Sequence, residues 1–544
     1  MHLIKKPNGA ALLKFIRQVT LAIIAGGLLS IAFIDHDQFI WPWVAFVPML
    51  FAIDRTGLLT TYFIGLIAGF TAYASGTYWV ADFISLSKGY DRLSSLSIAS
   101  LVWIYCAHQI AFLLVLLNWL RQRSEFHEFI IFPTLMVVFV SVYPMLFAMR
   151  LGESQLQFHS ALQATELVGG HGLDAIIALT NILLFRILHR RLLGSHQDQT
   201  SLASHWLAIS LIGFWFTYGI VSFATWEDKV SNWQALRIGI VQPNESPSLA
   251  RKIQSLGYSD SYPPEMEMTE RLSALDPDLV VWPEAQVKGY LDQANVKSAY
   301  AATIKALGVN LLFQDTQHIR SKLNGDIVTR YNSAILLSKS GEKIDSYRKM
   351  RHIPFGEYVP LFPPDSVLAK QAKIFLGDFL TEMSPGKEHK TLQHSAVNIV
   401  PLICYETTFP HFVAQAVSNA KFNGDPSLGS MLVGLSNDGW FGSSHQPYQH
   451  IKASVIRAVE NRLPLVHVAN NGPSIVVSPS GRTLFSSDFQ RPGGYLTEVP
   501  FSASARGSFY SKYPHLFDYS VYALALLLMA SALRQKRNLS SRTQ

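Results

Sequence analysis

Charge and cysteine are what this chain has least of. Only 15% of its 544 residues are Asp, Glu, Lys or Arg, while 49% are hydrophobic, and a soluble chain of this length normally carries about a quarter charged residues. The shortage excludes a protein that is soluble throughout and points to a membrane. Two cysteines, Cys106 and Cys404, exclude a disulfide framework and a cysteine-ligated zinc site. Cys106 lies inside an apolar run and Cys404 in a stretch of ordinary globular character, so a bridge between them is not expected. The formal net charge is +7, but the basic residues form short clusters beside apolar runs, and no nucleic-acid-binding motif is present. Such clusters set membrane orientation rather than bind nucleic acid.

What the chain has in abundance is apolar sequence, concentrated before residue 225 and after residue 514. A spanning helix needs about 20 mostly apolar residues, and eight runs qualify: 16–34, 39–53, 60–84, 98–120, 129–149, 173–193, 205–225 and 515–533. The second is short and flanked by Trp41 and Trp43, residues favoured at the membrane interface. The first lacks a small-residue cleavage site and is expected to be retained. Lys5, Lys6, Lys14 and Arg17, then Arg55, then Arg121 and Arg123, then Arg190 and Arg191, and finally Arg534, Lys536, Arg537 and Arg542 all fall on one side if the runs cross in turn. The positive-inside bias makes that side the cytoplasm. Both termini are then cytoplasmic, and seven crossings put the region between runs seven and eight outside. Few ionisable residues lie deep in the runs. His108, the clearest, is expected to hydrogen-bond between helices. The bundle reads as an anchor and lipid-facing platform.

Three parts follow: a bundle over 1–225, a globular domain over 226–513, and a last span with a basic tail over 514–544. In the globular part, short β-rich runs at 236–242, 279–282, 309–313, 333–337, 397–404, 431–435, 465–468 and 474–477 alternate with helix-like stretches at 264–275, 296–307, 410–420 and 447–461. That alternation predicts a layered α/β domain.

Candidate chemistry sits at the ends of these runs. Cys404 closes an apolar run and precedes a helix-like segment, a position that can expose the sulfur and lend it thiolate character. On residue type alone it reads equally as a buried structural thiol. Glu284 closes Leu279-Val-Val-Trp-Pro-Glu284, where burial would raise a carboxylate's pKa and suit it to act as a base; it also fits a helix start. Lys349 taken singly would be a solvated lysine. Carboxylate, ammonium and thiol together suit nucleophilic acyl transfer: the first takes the thiol proton, the thiolate attacks a carbonyl, and the ammonium stabilises the oxyanion.

The words around these residues are specific. Val280-Val-Trp-Pro-Glu284, Lys349 with Pro354-Phe-Gly-Glu357-Tyr-Val-Pro, Leu402-Ile-Cys404-Tyr-Glu406 and Ser436-Asn-Asp-Gly-Trp440-Phe-Gly resemble the carbon-nitrogen hydrolase (nitrilase) superfamily, in particular its membrane-fused branch, the apolipoprotein N-acyltransferases. The resemblance continues through Val241-Gln-Pro-Asn244, Gln449-His450, Arg457-Ala458 and Asn470-Asn-Gly472, and it includes the eight-span layout. It implies an α-β-β-α sandwich, a Glu-Lys-Cys triad carried by Glu284, Lys349 and Cys404, and no metal or other cofactor. It also implies that Glu357 positions the lysine or cysteine, that Tyr405 and Glu406 line the site, and that Trp440 and Phe441 sit near a lipid-access opening, although both aromatics read as well as core packing. Three positions depart from the pattern: His352-Ile353 before Pro-Phe-Gly-Glu, Arg462-Leu463-Pro464 after the Arg-Ala helix, and His467 where an arginine is common.

The resemblance further implies a multi-pass protein of the bacterial inner membrane with its catalytic domain periplasmic. Its acyl donor would be a phospholipid, through the sn-1 chain of phosphatidylethanolamine, and its acceptor the α-amino group of a diacylglyceryl-cysteine on an apolipoprotein. Two other readings remain at this stage. One is a membrane-tethered amidase or nitrilase using the same triad on a small amide. The other is a non-catalytic membrane protein with a degenerate hydrolase domain.

Overall fold

The structure, a computed structural model, describes residues 9–541 except 36, 194–200, 247–256, 286, 322–324, 361, 364–365, 378–379 and 395. Lys5, Lys6 and Arg542 of the charge pattern lie outside the described residues. The chain divides into two compact units, one made of Met1–Ser222 and His515–Gln544, the other of Phe223–Pro514.

The first unit is helical. Six helices are long and apolar enough to cross a membrane: Gly9–Ile34, Leu58–Gly76, Arg92–Arg121, Gly170–Leu192, Leu202–Ser231 and Leu516–Gln535. The second and fifth expected runs hold shorter apolar helices, Trp41–Ala52 and Glu128–Val142. The cause is local. Pro42 and Pro48 interrupt the second run, splitting it into a 3-10 turn and a seven-residue helix, and the fifth ends at Val142 because Tyr143, ahead of Pro144, is held extended. The third run is broken at Thr77, after which a separate helix, Trp79–Lys88, begins.

Small residues and buried amides hold this bundle. A Cβ on Gly69 would come within 2.7 Å of the Ala107 carbonyl oxygen, so the helices touch backbone to backbone there. Asn118 donates to Thr61 Oγ1 at 2.8 Å, and Tyr73 donates to Gln109 Oε1 at 2.6 Å. His108 meets Tyr62 on the neighbouring helix at 2.9 Å, as its position in the sequence predicts.

The second unit is built on two six-stranded sheets. Its strands are β1 (Gln234–Gln242), β2 (Leu279–Val281), β3 (Leu311–Arg320), β4 (Ile327–Leu337), β5 (Lys343–Arg348), β6 (Leu392–Gln393), β7 (Val397–Ile403), β8 (Gly429–Ser436), β9 (Leu465–Ala469), β10 (Ile475–Val477), β11 (Thr483–Ser486) and β12 (Gly493–Phe501). One sheet has the order β12-β1-β2-β3-β4-β5, the other β11-β10-β9-β8-β7-β6. Strands β1, β2 and β3 run parallel, as do β7, β8 and β9.

Side-chain alternation explains the layers. Leu236, Ile238 and Ile240 of β1, with Leu312, Leu336 and Tyr347, pack against Val397, Ile399, Met431, Val433 and Val466 of the other sheet. The opposite face of the first sheet, including Val280, Trp282, Phe313 and Ile335, packs on Val296, Tyr300 and Ile304 of the Ala294–Leu307 helix and on Met266 and Leu272 of the Pro264–Ser273 helix. Helices Pro410–Asn423 and Gln446–Asn461 cover the second sheet. The result is the expected α-β-β-α sandwich, with β5, β6, β11, β12 and the Val367–Leu376 helix added to the elements read from sequence.

Candidate active site

Three of the sequence-predicted residues meet at one edge of the sandwich, each just past the end of a strand. Glu284 follows β2 by three residues, Lys349 follows β5 directly, and Cys404 follows β7 directly. Strands β2 and β7 belong to parallel arrays, whose carboxyl ends are where such sheets present their chemistry.

Cys404 begins a five-residue 3-10 turn, Cys404–Thr408, and its own φ is +51°. That left-handed conformation is unfavourable for a residue with a Cβ and must be held by its surroundings. It turns the chain out of the line of β7 and into the 3-10 turn. Cys404 is 8% exposed, and its thiol lies within the electrostatic reach of the Glu284 carboxylate. Burial, and then the charge of Glu284, push the thiol's pKa well up, against the pull of Lys349. The expectation of thiolate character from a following helix is therefore corrected. The element after Cys404 is a short 3-10 turn, and desolvation keeps the resting sulfur protonated.

Glu284 is the neighbouring carboxylate. Burial raises its pKa, opposed by Lys349 and by the Asn332 amide, which donates to Oε1 at 2.6 Å. A carboxylate so placed takes a proton more readily than an exposed one. Among the described residues no helix begins at Glu284, and the next is Ala294–Leu307, so its alternative reading as a helix start does not hold.

Lys349 is 1% exposed and stands between two carboxylates. Its Nζ lies 3.0 and 2.9 Å from the two oxygens of Glu357 and 3.9 Å from Glu284 Oε1. Burial alone would lower its pKa, but Glu357 and Glu284 outweigh that and raise it, so the group remains an ammonium. Glu357 shows the reciprocal behaviour: burial pushes its carboxyl up, and Lys349, with His352 and the Ile353 N–H, brings it below the ordinary value.

Glu406 is fully buried and acts as a brace. Its Oε1 accepts from Tyr347 OH, Met350 N and Arg351 N at 2.7, 2.7 and 3.1 Å, while Oε2 accepts from Ile403 N at 2.8 Å. One carboxylate thus ties the backbone before Cys404 to the backbone after Lys349. Tyr405 is buried edge-on against Phe409 at 4.9 Å. Trp440 and Phe441 lie on a separate 3-10 turn, Gly439–Phe441, where Phe441 is buried and Trp440 half-buried.

Sequence reasoning did not single out three contributors. Asn332 orients Glu284, and its signal is an amide that opens the buried half of its strand. Asp438 and His450 lie beside Cys404: Asp438 Oδ1 is 2.8 Å from His450 Nδ1, and His450 Nε2 is 3.1 Å from the Cys404 carbonyl oxygen. Both belong to motif words quoted above, which carried no role for them. With His467 they bring three donor atoms within 4.8 Å of one another, but His450 already uses both ring nitrogens, so this is not an open set of metal ligands.

Known proteins match along most of the chain. The family model for the apolipoprotein N-acyltransferase N-terminal domain matches residues 25–183, and that for carbon-nitrogen hydrolases matches residues 266–502. The apolipoprotein N-acyltransferase of Geobacter metallireducens is 29% identical over 536 residues, covering 96% of each chain. That of Pseudomonas aeruginosa is 27% identical over 480 residues, covering 85% of this chain and 86% of its own. Among solved structures, an amidase from Nesterenkonia sp. is 18% identical, covers 49% of this chain and 90% of its own, and has a TM-score of 0.34. With both family models in order and relatives alike from end to end, the chain belongs to the apolipoprotein N-acyltransferases, the membrane-fused branch of the carbon-nitrogen hydrolase superfamily.

Proposed function

We propose that this acyltransferase moves an acyl chain from a phospholipid, the sn-1 chain of phosphatidylethanolamine, to the α-amino group of a diacylglyceryl-cysteine at the N-terminus of an apolipoprotein, through a thioester on Cys404. The observation that carries the reading is the convergence of a buried, protonated thiol, a carboxylate of raised pKa and a permanently charged ammonium. Each supplies what one stage of acyl transfer requires.

In the first half-reaction Glu284 takes the Sγ proton as sulfur attacks the ester carbonyl, and Lys349 offsets the oxyanion charge. The tetrahedral intermediate collapses, the glycerol oxygen leaves with the proton from Glu284, and a lysophospholipid departs. In the second, the lipoprotein amine attacks the thioester, Glu284 takes its proton, and the thiolate leaves and is reprotonated. Glu357 holds Lys349 in place, Tyr405 and Glu406 shape the wall beside the nucleophile, and Trp440 and Phe441 border the approach for lipid. The apolar helices support a membrane location, which confines both lipidic substrates to two dimensions with the catalyst. We further infer an inner-membrane protein with cytoplasmic termini and a periplasmic catalytic domain, supported by the one-sided Lys and Arg pattern of the loops.

Incubating the full-length protein with labelled phosphatidylethanolamine and mapping the adduct tests the chemistry. An acyl mass on the Cys404 peptide, absent in Cys404→Ala and discharged by a diacylated lipopeptide, is expected. An adduct persisting in Cys404→Ala, or discharge to free fatty acid alone, would refute it. The second result would mark a tethered hydrolase.

A further inference from the structure

The mechanism leaves unused a fully buried charged pair directly under the nucleophile. Asp438 follows β8 by two residues, and His450 lies on the Gln446–Asn461 helix. Neither is more than 5% exposed. Both ring nitrogens of His450 face oxygen acceptors, Nδ1 towards Asp438 Oδ1 and Nε2 towards the Cys404 carbonyl. Ser436 donates to Asp438, and the Thr407 hydroxyl lies 2.9 Å from Nε2 and 3.2 Å from the Cys404 carbonyl. A carboxylate at one ring nitrogen and a carbonyl oxygen at the other favour a proton on each, an imidazolium, and the charge of Asp438 raises the basicity of the ring.

We propose that Asp438 and His450 are a positioning pair for the nucleophile: the His450 imidazolium, held by Asp438, binds the Cys404 carbonyl and fixes the left-handed turn that sets Sγ against Glu284. This rests on the reading of Cys404 as the nucleophile. The titratable groups facing His450 are Asp438 from the loop after β8, His467 from β9, Glu284 from the loop after β2, and Cys404 itself. Burial lowers the basicity of His450, and Asp438 more than restores it. His467 stands edge-on to His450 at a ring separation of 5.1 Å and stays neutral, its pKa lowered to about 3, so it does not compete for Asp438 as a cation.

The test uses the full chain in phospholipid–detergent micelles and follows single-turnover acylation of Cys404 between about pH 5 and pH 8. Without its carboxylate partner, His450 in Asp438→Asn loses its proton at neutral pH and regains it as pH falls. Asp438→Asn should therefore acylate about tenfold more slowly than wild type near pH 7.5, with the gap closing to about threefold or less near pH 5 and KM for the lipid unchanged. His450→Gln keeps an N–H for the carbonyl but no charge, and its deficit should be the same at every pH. A structural defect alone gives a pH-independent loss in Asp438→Asn, and that result, or rates within twofold of wild type throughout, overturns the pairing. If Asp438→Asn does not fold, His450→Gln carries the test through lipid-free alkylation of Cys404 by iodoacetamide: slower alkylation at all pH supports the proposal, and unchanged or faster alkylation overturns it. A stoichiometric metal ion lost on His467→Asn would also overturn it. An acyl adduct surviving in Cys404→Ala would instead sink the catalytic reading, whatever Asp438→Asn does.

Discussion

Replacing Glu406 by Gln isolates the brace between nucleophile and lysine. The native carboxylate accepts three donors on Oε1 and one, the Ile403 N–H, on Oε2. A glutamine places its carbonyl oxygen where three donors converge, which leaves its NH2 facing the Ile403 N–H. One charge-assisted bond is lost and two donors are set against each other in a buried site, a cost of about 2–3 kcal/mol. For a domain of this size that corresponds to a fall in Tm of about 3–5 °C. Glu406→Ala removes all four acceptances and leaves a cavity, and should cost about 4–5 kcal/mol or more. Tyr347→Phe deletes only one neutral donor and should cost about 1 kcal/mol. The kinetic effect should exceed what stability suggests, because Ile403 N sits next to Cys404 while Met350 N sits next to Lys349. Slackening that link displaces the thiol relative to the ammonium, and a displacement of about 1 Å can cost on the order of 100-fold in rate. Thermal unfolding followed by Trp fluorescence, with Cys404 acylation measured on the same preparations, checks both. Glu406→Gln with native stability and a rate within twofold of wild type would refute the reasoning.

Lys349→Met should leave Glu284 and Glu357 facing each other without a cation and slow thioester formation by about 1000-fold, the size expected for loss of an oxyanion partner; adduct mass spectrometry reads this directly. Glu357→Gln removes the largest support of the Lys349 charge, so burial lowers the ammonium pKa and the alkaline limb of the rate profile should move to lower pH, with a loss of about 100-fold at its maximum. His467, whose pKa is held near 3 by burial and by His450 against an ordinary 6.5, makes the fold acid-sensitive. Below pH 6.5 the unfolded chain binds a proton that the folded chain refuses, so stability falls with pH, by about 2 kcal/mol at pH 5. His467→Asn should flatten that slope in unfolding measured at pH 7 and pH 5, and an unchanged slope would disprove the assignment.

The apolar runs located the helices of the first unit because hydropathy needs only composition, and they failed where backbone chemistry intervened. Pro42 and Pro48 shorten the second run, and the break at Thr77 splits the third, both through backbone conformation, which hydropathy does not register. In the catalytic unit, central strands such as β7 and β8 are buried along their whole length and read as continuous apolar runs. Strand β5, Lys-Ile-Asp-Ser-Tyr-Arg, lies at a sheet edge and buries only Tyr347 fully. Strand β12 opens on two glycines and buries only Val499 fully. Both carry too little apolar signal to mark a strand.

The site was legible where an apolar run stops on a reactive residue, and the topology explains why. Strand β5 is antiparallel to β4, which is antiparallel to β3, so β5 points the same way as β2 and its carboxyl end delivers Lys349 to the same rim as Glu284. Cys404 arrives by the same route from the facing sheet. The rule extends one strand further: Asp438 stands two residues beyond β8, and Asn470 directly beyond β9. What no run-end can convey is the φ of +51° at Cys404, because that angle is held by a carbonyl contact from His450, 46 residues away on a helix. The reactive groups are thus encoded locally, at strand ends, while their aim is encoded in long-range contacts of Glu406, Asn332 and His450. Substitutions in that second set should therefore reduce turnover while leaving the triad's identity and the fold's outline intact.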